Sequence, residues 1–215
     1  MPLGDILLIK EEYRKAADHL SEIILSDFPR DGKVIIAVGG ESGSGKSEIA
    51  HVTSDNLFKS SFELQSFILH VDDFFLLPRK ERNKLRLESR FESVGVDEID
   101  RDELEGIVKK FLADRNTVHI PIYDILSSVK HELVVDFQGI PVLIAEGLYA
   151  NLIDADYSAF IDRTYHDTKK FQAERGKEVM DEFRLGVLEK EHQAVSQLKN
   201  KADIIIDKDY ALKRR

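Results

Sequence analysis

An apolar run, Val34-Ile-Ile-Ala-Val-Gly39, passes without a break into Gly40-Glu-Ser-Gly-Ser-Gly45-Lys46-Ser47, and the helical pattern EIAHVTSDNLF follows at once. A β-branched strand, a glycine-rich loop and a helix in that order leave the chain few folds to choose from. The eight loop residues fit G-x-x-x-x-G-K-[ST] without a mismatch. Glycines let the backbone turn its N–H groups toward phosphate oxygens, and the helix N-terminus adds partial positive charge. Lys46 then reaches the β and γ phosphates and Ser47 ligates magnesium. A turn that only joined a strand to a helix would not require Lys and Ser at those two positions. The whole loop, Gly40, Glu41, Ser42, Gly43, Ser44, Gly45, Lys46 and Ser47, is therefore expected to hold Mg-ATP.

Further short apolar runs recur at 67–71, 142–146, 159–162 and 202–206, with helical patterns between them. That alternation predicts an α/β domain of the P-loop type, a parallel five-stranded sheet with helices on both faces. Residues 5–25 place apolar side chains at steps of three and four, which predicts an amphipathic N-terminal helix within residues 1–30. Two strand-like pieces, TVHIPIYD and ELVVDF, predict a hairpin over 115–137 beside the sheet, on the acceptor side. Residues 163–200 are strongly charged and helical in pattern, as expected for a helical lid over 163–180 followed by a surface helix. The tail ALKRR reads as a solvated basic end. All 215 residues are expected to form one domain.

Charge and composition narrow the chemistry. A formal net charge of −9 argues against nucleic acid as the main partner, since that needs a concentrated basic face. With no cysteine, neither a disulfide nor a thiolate nucleophile or metal site is available. No apolar run approaches the roughly 20 residues of a membrane span, and the N-terminus carries no signal or lipidation motif. The seven histidines show no zinc-type pairing. The expectation is a cytoplasmic protein acting on a small molecule, without nucleic acid or membrane, and capable of forming homo-oligomers.

Two strand ends are acidic. FILHV runs into Asp72-Asp73-Phe74-Phe75, and VLIA runs into Glu146-Gly147. Ligands bind beyond the C-terminal ends of strands in such sheets. Phosphoryl transfer needs a group to take the proton of an attacking hydroxyl and acids to hold Mg²⁺. Asp72 is assigned to the first role, with a share in the metal site, and Glu146 to the second; spacing leaves Asp73 able to exchange roles with Asp72. Phe74 is placed under the acceptor pocket.

In order, GGESGSGKS, HVDDFF, IPIYD, VLIAEGLYA, ERGKE and KADIII resemble the uridine kinase and phosphoribulokinase family of P-loop kinases, most closely its uridine-cytidine kinase branch. The resemblance implies transfer from Mg-ATP to the 5′-hydroxyl of uridine or cytidine, or to another small alcohol such as a pentose phosphate or pantothenate. It makes Asp72 the catalytic aspartate, Glu146 the magnesium-side acid, Tyr123 the hairpin aromatic against the acceptor, and Arg175 a lid arginine closing over the phosphates beside Lys46. Two segments depart from the family pattern. The arginine-rich lid helix is replaced by a stretch in which Arg163, His166, Lys169 and Lys170 stand as substitute charges. The ribose-binding FDHPxxFD segment is replaced by FESVGVDEID, where Asp97 is the nearest match for the ribose-holding aspartate.

A GTP-dependent switch is the rival reading, from Asp136-Phe-Gln-Gly139 as D-x-x-G and Asn200-Lys-Ala-Asp203 as N-K-x-D. In a switch an apolar strand precedes N-K-x-D; here HQAVSQLK precedes it and the apolar run follows. The context is reversed, and chance matches explain both strings.

Overall fold

The computed structural model describes residues 6–29, 32–61, 64–124, 127, 129–168 and 181–215. Helix α1 (Glu11–Ser26) precedes strand β1 (Val34–Gly40), helix α2 (Lys46–Ser60) and strand β2 (Ser66–His70). Helices α3 (Arg79–Glu88) and α4 (Arg101–Leu112) follow, then the antiparallel pair β3 (Val118–Tyr123) and β4 (Lys130–Val135). Strands β5 (Val142–Gly147) and β6 (Tyr157–Ile161), helix α5 (Glu182–Leu198) and strands β7 (Ile204–Ile206) and β8 (Leu212–Arg214) complete the chain.

The main sheet has six strands in the order β2-β5-β1-β6-β7-β8. Five are parallel, but the count of five expected from the apolar runs is corrected to six, because the tail read as a solvated end pairs antiparallel with β7. Only three residues long and mostly exposed, β8 carries no apolar run, so no hydrophobic pattern marks it. Its basic side chains suit an edge strand, where charge discourages further pairing.

Strand alternation distributes the core. Val34, Ile36, Val38, Val142 and Ile144 face one side with α1 and α2, whereas Ile35, Leu143 and Ala145 face the other with α4 and the hairpin. Because both faces are covered, the central strands read as unbroken apolar runs. Helix α5 buries Val187, Leu188, Val195 and Leu198 and leaves its other faces outward, as a surface helix does. No helix among the described residues is long and apolar enough to cross a membrane.

Candidate active site

β1 enters the phosphate loop directly, and the loop's backbone explains its glycines. Gly40 and Gly45 lie at φ of 147° and 94°, where a side chain is disfavoured, and a Cβ on Gly45 would stand 2.8 Å from the ring of Tyr13. Helix α1 thus packs directly behind the loop. The Tyr210 hydroxyl donates to Ser44 O at 3.0 Å, and the Thr168 hydroxyl donates to Ser42 O at 3.0 Å. Lys46 Nζ donates across the loop to Glu41 O at 2.9 Å. The Glu41 side chain does not enter the site; its carboxylate accepts the Tyr165 N–H at 2.7 Å and lies 2.6 Å from His192 Nδ1. Glu41 therefore ties the loop to α5 and to the start of the stretch expected as a lid.

Three neighbouring strands, β2, β5 and β1, end at one place. From β5, Glu146 Oε2 accepts the Ser47 hydroxyl at 3.0 Å and Oε1 lies 2.6 Å from His70 Nδ1. Burial works against its charge, but the His70 hydrogen bond and the nearby Lys46 hold the carboxyl below its ordinary range. From the turn after β2, Asp72 Oδ1 accepts the Leu148 N–H at 3.1 Å. Burial pushes Asp72 upward, against the pull of Lys46. Its neighbour Asp73 points elsewhere: Oδ1 accepts the Tyr123 N–H at 2.9 Å, which anchors the hairpin, and burial raises it to about 6.

A cavity of about 400 Å³ opens against this corner. Lys46, Ser42 and Asp72 form one wall, and α3 forms another through Arg79, Arg82, Asn83 and Arg86. The Arg82 guanidinium stacks 3.6 Å above the Phe75 ring. Arg86 makes a two-pronged bond to Glu98, with both distances 2.8 Å.

The expected acceptor residues are dispersed. Phe74 is buried in the core, and it is Phe75 that lines the cavity. Asp97 is a surface group, its side chain 95% exposed and 3.3 Å from Arg101, so the nearest sequence match to a ribose-binding acid does not reach the cavity. The acid its segment does turn inward is Glu98. Tyr123 meets the site through its backbone bond to Asp73. Arg163 Nη1 donates to the Tyr210 hydroxyl at 3.0 Å, behind the phosphate loop, and His166 is exposed, stacked beside Tyr165. Lys169, Lys170 and Arg175 lie outside the described residues. The α3 arginines and His70 were not foreseen. The signal for the arginines was present: positions 79, 82, 83 and 86 share one helical face.

The oxygens present fit Mg²⁺. No group of three His, Cys, Asp or Glu side chains among the described residues could cage a metal. Mg²⁺ does not need one, taking one or two protein oxygens and leaving the rest to phosphates and water. The paired Ser47 and Glu146 oxygens, with Asp72 beside them, supply that. The rival switch strings find no such setting: Asp136 is exposed and accepts the Gln138 N–H of its own turn, and Asn200 precedes β7.

The sequence of the Phosphoribulokinase / Uridine kinase family matches residues 35–163. A uridine kinase of Lactobacillus johnsonii is 27% identical over 192 residues, spanning 80% of this chain and 85% of its own. A uridine kinase of Staphylococcus aureus is 28% identical over 190 residues, 80% and 86% of the two chains. A solved structure from Bacillus stearothermophilus, described as a possible uridine kinase, superposes with a TM-score of 0.63 at 17% identity and covers 90% of this chain and 98% of its own. The match runs from β1 through the acid of β5 to the end of β6, the same stretch that carries the phosphate loop, Asp72 and Glu146, and the chain belongs to the Phosphoribulokinase / Uridine kinase family.

Proposed function

We propose that the protein transfers the γ-phosphoryl group of ATP to a hydroxyl of a small molecule, with Asp72 accepting or orienting the hydroxyl proton. One observation carries this: Lys46, Ser47, Glu146 and Asp72 converge at the C-terminal ends of three adjacent parallel strands, beside a cavity large enough for a small alcohol.

The loop N–H groups and Lys46 hold the donor phosphates. Ser47 and Glu146, with Asp72 near them, would hold Mg²⁺, which when bound neutralises charge on the phosphate oxygens. Asp72 is kept in place by the Leu148 N–H, and its upward shift makes it a better proton acceptor than an ordinary surface aspartate. His70 positions Glu146. Residues 163–180, with Arg175, are proposed as the lid that excludes water and stabilises charge on the transferring group.

The curated relatives are named uridine kinases, so the 5′-hydroxyl of uridine or cytidine is the first acceptor to test. A second reading, a small anionic alcohol such as a pentose phosphate or pantothenate, is favoured by the arginine wall. Incubation with γ-labelled Mg-ATP should place label in an organic phosphate when the right alcohol is present. Label released only as inorganic phosphate would count against the reading.

A further inference from the structure

Helix α3 packs on the protein without an apolar face. Arg86 is its buried residue, while Leu85 and Leu87 are exposed. Arg79, Arg82, Asn83 and Arg86 fall at i, i+3, i+4 and i+7, and all four line the cavity that Asp72 and Lys46 also line. A helix that turns its arginines to a cavity and its leucines to solvent is shaped by what the cavity holds.

The arginines are not equivalent. Arg86 is committed, since Glu98 takes its Nε and Nη2 and Glu191 lies 3.5 Å from Nη2. Arg82 has no carboxylate within ion-pair distance among the described residues. Its Nη1 donates to Leu77 O at 3.3 Å, and its buried Nε has no hydrogen-bond partner among the described residues. Stacking on Phe75 fixes the plane of the guanidinium, so little freedom is lost when a ligand meets its edge. Burial lowers Arg82 to about 10, which leaves it charged at neutral pH, and a buried donor without a partner is costly. The acids on the cavity wall other than Asp72 are engaged: Asp181 caps α5 through Arg184 N, and Glu191 lies between Arg86 and Arg184.

We infer that the acceptor is a small hydroxylated anion whose carboxylate or phosphate is bound by Arg82, with Arg79 adding charge one turn earlier, while its hydroxyl lies at Asp72. This rests on the kinase reading and names the acceptor class of that site.

The test uses matched pairs that differ in charge, with Mg-ATP and the full chain: glycerol against glycerate for the carboxylate, and ribose against ribose 5-phosphate for the phosphate, with uridine as an uncharged reference. For at least one pair, kcat/KM for the anion should exceed that of its neutral partner by about tenfold or more, the size of a charge-assisted hydrogen bond. Arg82→Gln should raise KM for that anion by about 10- to 100-fold and leave KM for ATP unchanged. Arg82→Lys should fall between, because it keeps the charge and loses the fork. If Arg82→Gln does not fold, Arg79→Gln, one turn earlier on the same helical face, should raise the same KM by several-fold. Preference for uridine or the neutral members would overturn the inference and leave the kinase reading standing. So would an Arg82→Gln variant that lowers kcat equally with every acceptor, since that places the charge on the transferring phosphoryl group. Phosphoryl transfer to none of the five would overturn the kinase reading and the inference together.

Discussion

His70 Nδ1 lies 2.6 Å from Glu146 Oε1, while the other oxygen of the same carboxylate accepts the Ser47 hydroxyl. One strand end thereby aims the acid of another at the phosphate loop. A ring nitrogen that fixes a metal-side carboxylate affects metal use more than fold. We predict that His70→Ala raises the Mg²⁺ concentration for half-maximal activity by about tenfold or more, as loss of such outer partners does. His70→Gln, which can still donate, should recover part of the loss. Magnesium titration of the rate checks this, and an unchanged midpoint in His70→Ala would remove His70 from the account.

Asp72 and Asp73 are neighbours with different partners, and their variants should separate. Asp72→Asn is predicted to lower turnover at least about a hundredfold with little change in ATP affinity, the scale of lost general-base assistance. Asp73→Asn keeps the oxygen that accepts the Tyr123 N–H and should stay within about fivefold of wild type, because it lies off the proton's path. Steady-state kinetics and nucleotide binding on both variants decide it; the reverse order would exchange the two roles.

Asp73 also makes a prediction about pH and stability. Its folded pKa is raised from 3.8 to about 6 by burial, so the protonated form is favoured in the fold. The stability this confers is fully present below about pH 4 and is lost as pH rises through about 6, an effect of order 3 kcal/mol. Asp73→Asn should therefore be more stable than wild type at pH 7.5, with the gap closing between pH 6 and 4. Chemical denaturation at both ends of that range measures it, and a gap that does not change with pH would contradict it.

Gly45 combines a φ of 94° with the ring of Tyr13 at its back. Gly45→Ala needs both a strained backbone and a shift of α1, and is predicted to abolish measurable ATP binding. Tyr13→Ala relieves the contact but not the backbone, so the double variant should recover little. Calorimetric titration with ATP tests both. Normal ATP binding by Gly45→Ala would show that the loop does not need this geometry.

Legibility in the sequence followed the physics that leaves a pattern. The loop from Gly40 to Ser47 was readable because its chemistry fixes residue types at fixed spacing, and β1, β5, β6 and β7 because burial on both faces leaves unbroken apolar runs. The acids at 72 and 146 followed from lying at strand ends. β8 was missed because an edge strand of three residues has no periodicity to read. Asp97 is the nearest match by position, yet the inward acid of its segment is Glu98, and no local rule tells which of two adjacent acids turns inward. The arginine face of α3 was visible as spacing, but its meaning required knowing that Asp72 faces the same cavity.

ADP release from Mg-ATP tests phosphoryl transfer to an alcohol most directly, compared with no acceptor, with uridine and with small anionic alcohols, in wild type and in Asp72→Asn. A kinase of this kind releases ADP slowly without acceptor, is stimulated at least about tenfold by one of them as water is displaced from the site, and loses that stimulation in the variant. ADP release at the same rate with and without every acceptor, unaffected by Asp72→Asn, would contradict it.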